Sequence, residues 1–259
     1  MLAGLVATFV NNLYVALIGR YFNATQVGYF TQATQLSNSL SGLISSTLQG
    51  VTYPIMTSVK EDRERLVNIY TQLISITMLV SLPMLIGFAA VSEEFVKMAL
   101  GDEWLPVVPM LVALCLARAI TPISAINMNI LNAVGRSDLF LKVDLSKLPL
   151  TLGALFIALP YGIEGVAWAM ACTSFIAFFI NAYYPWKLFS FGGFKQLKIA
   201  SKYIAASALM YFIVKLINID NMALELLVKI VVGAAVYFTA LVITKDTFLF
   251  ELIRKIKQQ

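Results

Sequence analysis

The chain has no histidine and only two cysteines in 259 residues. Without histidine there is no imidazole metal ligand and no histidine proton relay. Cys115 and Cys172 lie in separate apolar runs, where each reads as a small buried hydrophobe. Their spacing supports neither a metal site nor a disulfide. Charge is scarce too: 13% of residues are Asp, Glu, Lys or Arg, against roughly 25% in an ordinary soluble domain. No stretch alternates polar and apolar residues over about 10 positions, which excludes an outer-membrane barrel. No nucleophile sits with a base, no paired acids mark a cleft and no phosphate loop appears, so the sequence calls for neither an enzyme nor a cofactor. Glu93, Glu94, Asp102 and Glu103 cluster, but on a link between apolar runs, where they read as solvated charges marking topology.

What the chain has in quantity is apolar sequence, at 59% hydrophobic residues and a mean hydropathy of +0.82. It comes in blocks, and some 20 residues of helix cross a bilayer core. Eight candidate spans follow: 2–18, 29–59, 66–91, 104–134, 138–159, 165–187, 200–217 and 223–244. The expected fold class is all-α, a polytopic membrane helical bundle. The second and fourth spans exceed one membrane thickness, so tilting, kinking or projection is expected. Pro54, Pro83 and Pro122 fall inside spans and should kink them. The link 189–198 reads equally as a loop or a short interfacial helix. Residues 1–20 lack a basic leading region and read as a first span rather than a cleaved signal.

The net charge of +5 does not point to nucleic acid, because the cations sit at span ends. Lys60, Arg63, Arg65, Arg136, Lys187, Lys195, Lys198 and the tail residues Lys245, Arg254, Lys255 and Lys257 gather on one side; Arg20, Lys97 and Lys215 fall on the other. The positive-inside bias then puts both termini in the cytoplasm. Trp104, Trp168, Trp186, Tyr183 and Tyr184 stand near span ends as interfacial anchors do.

Polar residues deep in spans are costly and should face a bundle interior or an aqueous cavity. Arg118, near the middle of 104–134, is either a cationic contact for an anionic substrate or one half of a structural pair. Asp144 and Lys147 are spaced i,i+3 and share a helix face. Asn127 lies at similar depth across the tight turn at Gly135 to Asp138, so Asn127 and Asp144 are expected to meet in an antiparallel hairpin. Lys142 and Lys147 can also snorkel to the surface. Asn11, Asn12, Gln32, Gln35, Asn38 and Gln49 make the first two spans unusually polar, as a wall of a wet cavity would be. The expected substrate-binding set is Arg118, Lys147, Asp144, Asn127, Asn12, Gln35 and Asn38, with no metal site.

Five stretches carry a resemblance: IGRYFNATQVGYFTQATQLSN at 18–38, VTYPIMTSVKEDRERL at 51–66, LPMLIGFAAVSEEFV at 82–96, LGDEWLPVVPML at 100–111 and INMNILNAVGRSDLFLKVDLSK at 126–147. With these the chain resembles the Wzx-like flippases of lipopolysaccharide and teichuronic acid biosynthesis, in the multidrug/oligosaccharidyl-lipid/polysaccharide exporter superfamily. The resemblance covers nearly the whole chain and thins after about residue 198. It implies two six-helix lobes plus two C-terminal spans, of which this chain matches the later part. Residues 1–188 are then the second lobe, and 189–259 a link, the appended helix pair and a basic tail. The first lobe is expected on a longer protein or a partner chain.

The implied substrate is a polyprenyl-pyrophosphate glycan moved across the bacterial inner membrane, in contact with membrane lipids and with a polysaccharide polymerase or ligase as a further partner. The family often has Glu where Asp144 stands and a second Lys where Ser146 stands. The rival readings are a multidrug efflux lobe, disfavoured by the excess of internal cations over acids, and a non-transporting scaffold of a polysaccharide synthesis complex.

Overall fold

The computed structural model describes residues 17–244, and among them the regular structure is helical, with no strand. Helical residues 17–21 lead through Asn23, whose side chain caps the next helix by accepting from the Gln26 backbone N–H, into α1 (Ala24–Ser58). Asp62 caps α2 (Arg63–Ala90) in the same way through the Arg65 N–H. A link holding the short α3 (Ser92–Ala99) and a 3₁₀ turn (Asp102–Trp104) precedes α4 (Val107–Ala119) and α5 (Thr121–Ala133). Then come α6 (Ser137–Ala158), α7 (Gly162–Asn181), the short α8 (Tyr183–Phe189), α9 (Gly193–Lys215) and α10 (Met222–Ile243).

Five stretches are long and apolar enough to cross a membrane: Arg63–Ala90, Val107–Ala133, Ser137–Phe189, Gly193–Lys215 and Met222–Ile243. The third contains α6, α7 and the short α8; α6 and α7 pack on each other, and the chain reverses between them at the turn Leu159–Tyr161 and at Gly162 (φ 82°). The longest helix, the 35-residue α1, is not among the five. Its amides and hydroxyls dilute the apolar content, and at ~1.5 Å per residue it measures about 52 Å, well beyond a bilayer core.

The expected single span 104–134 is two helices. Pro122 has no N–H to give the Arg118 carbonyl one turn back, so the ladder breaks at Ile120. Serines of neighbouring helices serve the carbonyls at the end of α4: Ser41 Oγ donates to Arg118 O at 3.4 Å and Ser81 Oγ to Ala119 O at 3.2 Å. Pro54, Pro83 and Pro149 stand inside otherwise continuous helices. The 189–198 link is part helix on either side of a tight loop: Ser190 adopts φ 57°, and α9 begins at Gly193.

The core lies between α1, α2, α4, α5 and α7, where Ala33, Ile74, Leu85, Leu111, Leu114, Leu131 and Val166 are buried. The C-terminal pair is not separate from it. Helix α9 runs along α2, and α10 packs on α9 and touches α3. The remaining faces of α7, α9 and α10 show Phe175, Ile176, Leu209, Phe212, Leu227, Ile230 and Phe238 to the surroundings, as lipid-facing helices do.

Candidate functional site

The opening of α6 explains how a lysine comes to lie inside an apolar bundle. Gly135 (φ 76°) reverses the chain after α5, and Arg136 forms a two-point pair with Asp138 at 2.9 and 3.1 Å, fixing the first turn. Two turns further, Lys147 Nζ sits 2.7 Å from Asp144 Oδ1 on its own helix and donates to Asn181 Oδ1 at 3.0 Å across to α7. Asn181 is buried, while the Asp144 and Lys147 side chains are 32% and 22% exposed. The lysine therefore opens onto a space rather than ending in packed core. That space is a cavity of about 350 Å³ whose lining includes Thr121, Ser124, Met128 and Asn129 of α5, Phe140 and Lys147 of α6, and Ser174 and Asn181 of α7.

An ammonium has three N–H donors. Asp144 and Asn181 take two, which leaves one for a ligand. The carboxylate supplies the counter-charge that makes a lysine tolerable at this depth. A cation with hydroxyls and amides around it, in a half-open cavity, suits an anionic group attached to polar hydroxylated chemistry. No group of three or more metal-ligating side chains comes together among the described residues.

The other expected site residues are scattered. Asp144 and Lys147 do share a face and a contact. Asn127 does not join them. Fully buried, it accepts from the Tyr70 hydroxyl and donates through Nδ2 to Gln196 Oε1 at 3.0 Å, while Gln196 Nε2 returns bonds to Asn127 Oδ1 at 2.9 Å and to Tyr70 Oη at 3.0 Å. The expectation that Asn127 meets Asp144 is corrected accordingly: its amide points to α2 and α9 and locks three helices together.

Arg118 stands in the last turn of α4, where the helix dipole favours a cation. It is half-buried and precedes the cavity-lining residues Ile120 and Thr121 without lining the cavity itself. Gln35 and Asn38 are exposed on α1. Asn12, like Asn11, lies outside the described residues. Lys142 is exposed on the other side of α6, in a depression with Tyr183 and Tyr184. Tyr29 packs edge-on against Trp104 and donates to the Glu103 carbonyl at 3.2 Å.

Sequence reasoning missed Asn181, Tyr70 and Gln196, and it misplaced Glu94. Glu94 is not a solvated link charge. It is 9% exposed and paired with the buried Lys229 of α10, which also holds Glu225 at 2.6 Å. A signal existed: a lysine inside an apolar span, four residues after a glutamate, needs a reason. Neighbouring Glu93 is half-exposed. Its hydrogen bond from Lys97 at 2.9 Å holds its carboxyl below the usual 4.5 and raises the lysine in turn. Lys229 also borders a second, apolar cavity of about 630 Å³ between α2, α9 and α10, lined by Pro83, Met84, Phe88, Met210, Val214, Ile230 and Phe238 among others.

With this geometry in hand, comparison with known proteins gives a consistent picture. Residues 1–109 match the family described as "Polysaccharide biosynthesis protein". The chain is similar to the teichuronic acid biosynthesis protein TuaB of Bacillus subtilis, 28% identical over 94% of this chain and 52% of that protein. It is also similar to the succinoglycan biosynthesis transport protein ExoT of Rhizobium meliloti, 24% identical over 98% of this chain and 53% of that protein. The lipopolysaccharide biosynthesis protein WzxC of Escherichia coli is 26% identical over 56% of this chain and 30% of its own length. Among solved structures, the inward closed lipid II flippase MurJ superposes with a TM-score of 0.77 over 98% of this chain and 52% of its own, at 18% identity. The fold is therefore a helical membrane bundle like that of MurJ, and the chain is similar to proteins of bacterial polysaccharide biosynthesis. It spans about half the length of TuaB and ExoT.

Proposed function

We propose that this chain forms one half of a transporter that moves a lipid-linked oligosaccharide, a polyprenyl-pyrophosphate glycan, across the bacterial inner membrane during lipopolysaccharide or other surface-polysaccharide biosynthesis. The observation that carries the reading is Lys147, held by Asp144 at 2.7 Å and Asn181 at 3.0 Å at the edge of a polar cavity. A cation balanced by only one acid keeps part of its field for a phosphate. The hydroxyl and amide groups of Thr121, Ser124, Asn129 and Ser174 are suited to sugar hydroxyls. The apolar cavity between α2 and α10 offers a hydrocarbon chain a place beside the bundle.

In this reading residues 1–188 are a six-helix lobe and 189–259 an appended pair with a basic tail, and both termini are cytoplasmic. The polar face of α1 lines the route shared with a second lobe, present on a longer protein or a partner chain. The work is transport rather than catalysis, since the lobe binds and re-exposes its ligand without making or breaking a bond. Handing the glycan on requires a polymerase or ligase. Arg118, half-buried at the α4–α5 break, acts in this scheme as a second cation met later along the route.

The test replaces Lys147 with Ala, and separately Arg118 with Ala, in the transporter as expressed with both lobes. Surface polysaccharide is then measured with membrane abundance controlled. Loss of polysaccharide in Lys147→Ala, with partial retention in Lys147→Arg, is the expected result. Normal polysaccharide in both alanine variants overturns the cationic-site reading.

A further inference from the structure

Outside the Lys147 cavity, the Glu94–Lys229–Glu225 cluster is the most deeply buried group of charges among the described residues. Lys229 is 3% exposed, and each glutamate side chain is 12% exposed. The two acids are not equivalent. Glu225 stands one turn before Lys229 on α10 itself, whereas Glu94 is on α3, 135 residues away in sequence. One oxygen of Glu94, Oε2, is buried with no hydrogen-bond partner. Helix α10 packs mainly on α9 and meets α2 only lightly, and the 630 Å³ apolar groove lies between them. Polar ties from α10 to the far side of that groove include Lys229 to Glu94 and the Tyr237 hydroxyl to the Leu79 carbonyl at 3.0 Å. Lys229 itself borders the groove.

We propose that Glu94, Lys229 and Glu225 form an ionic latch that holds α10 closed over the groove at its α3 end and can release without stranding the lysine. Removing the sole partner of a buried charge is strongly destabilising. Here Glu225 travels with Lys229 on the same helix, so the lysine keeps a counter-ion when α10 leaves α3. Glu94 returns to the link, where water can reach it. Opening therefore costs one inter-helix pair rather than a bare buried charge. The partnerless oxygen of Glu94 makes the closed state less than fully satisfied, which keeps closed and open close in free energy. Glu93 and Lys97 on α3 pair with each other, and Lys215 at the end of α9 is near enough to act on Glu93, so neither lysine is needed to hold Glu94. The latch gates the side of the groove and operates whatever the chain carries.

The two glutamates give the test its discrimination. Spin labels go at Met98 on α3 and Leu224 on α10, both about half exposed, in the full chain with Cys115→Ala and Cys172→Ser, reconstituted in lipid nanodiscs. The distance distribution between the labels is read by pulsed dipolar spectroscopy. Glu94→Gln weakens only the closed state, so the long-distance population rises several-fold. Glu225→Gln leaves an opened lysine without its travelling partner, so that population falls. Opposite shifts are the expected result. Shifts of the same sign, or no shift in either variant, overturn the latch, because a merely structural cluster loosens alike whichever acid is neutralised. Should Glu94→Gln not accumulate in the membrane, Glu94→Asp, one methylene shorter, is read by the same criterion.

Discussion

Two kinds of polar residue lie in the bundle, and their surroundings separate them. Tyr70, Asn127 and Gln196 are fully buried and bond to one another, so they fasten helices and have little left for a ligand. Removing one member leaves the others unsatisfied, at about 1–3 kcal/mol per stranded group. Gln196→Leu should therefore lower the midpoint of thermal unfolding in detergent, while Lys142→Ala on the exposed side of α6 should leave it unchanged. Lys147 is the other kind, bonded to two groups yet facing a cavity. Glu93 and Lys97 lie outside the apolar helices and follow ordinary surface rules. A carboxyl lowered by its lysine contributes stability above about 4.5, its ordinary value, and loses it as pH falls through the lowered value. At 47% exposure the pair is screened, so Glu93→Gln should change stability at neutral pH by less than ~0.5 kcal/mol and flatten the acid limb of the pH profile. The Asp144–Lys147 pair was legible from i,i+3 spacing because both partners share a helix. Asn181, Gln196 and Glu94 were not, since their partners lie 34, 69 and 135 residues away and sequence spacing says nothing about which helices touch.

At the scale of elements, long apolar runs between polar turns located α2, α6 and α10 to within three residues at either end. Residues 66–91 became Arg63–Ala90, and 223–244 became Met222–Ile243. What the pattern could not show was the break inside 104–134, because apolar periodicity continues across Pro122 while hydrogen bonding does not. Nor did it show that α9 starts seven residues before the expected span, at Gly193. There the backbone approaches α7 so closely that an added Cβ would lie 2.8 Å from the Phe179 ring, and at Gly192 one would lie 2.5 Å from Trp186 Cβ. Gly192→Ala should therefore push α8 away from the start of α9 and strain the Gln196 network one turn on, lowering the folded fraction recovered from membranes. Pro122→Ala should act in the opposite sense on order. With an N–H restored to meet the Arg118 carbonyl, α4 and α5 can run on as one helix, releasing Ser41. The check is a spin-label distance between Leu116 and Asn132, which should lengthen as the kink straightens.

The whole molecule is asymmetric. Faces of α7, α9 and α10 are exposed and apolar, whereas Thr31, Gln35, Asn38, Gly42 and Ser46 recur at three- and four-residue steps along one exposed face of α1. In a lipid-facing helix such a stripe is unfavourable, because every unsatisfied amide in hydrocarbon costs several kcal/mol or so. Serine and threonine soften that cost by bonding back to their own helix, as Thr31 does to Val27 O and Ser39 to Gln35 O, but the Gln35 and Asn38 amides have no such recourse. Water must reach this face, or another polar surface must cover it, as the proposed pairing with a second lobe would provide. The consequence is measurable by cysteine scanning in membranes containing the chain together with its proposed second lobe. Cysteines at Gln35, Asn38, Gly42 and Ser46 should react with a membrane-impermeant maleimide, and their reactivity should repeat with the helical period. Cysteines at Leu209, Phe212 and Leu227, equally exposed in the isolated bundle, should not react because lipid covers them. Uniform silence along α1 would place that face in lipid and remove the aqueous route. Reactivity that falls when substrate accumulates, most strongly at the positions nearest the Lys147 cavity, would tie the polar face of α1 and the cation of α6 to one pathway.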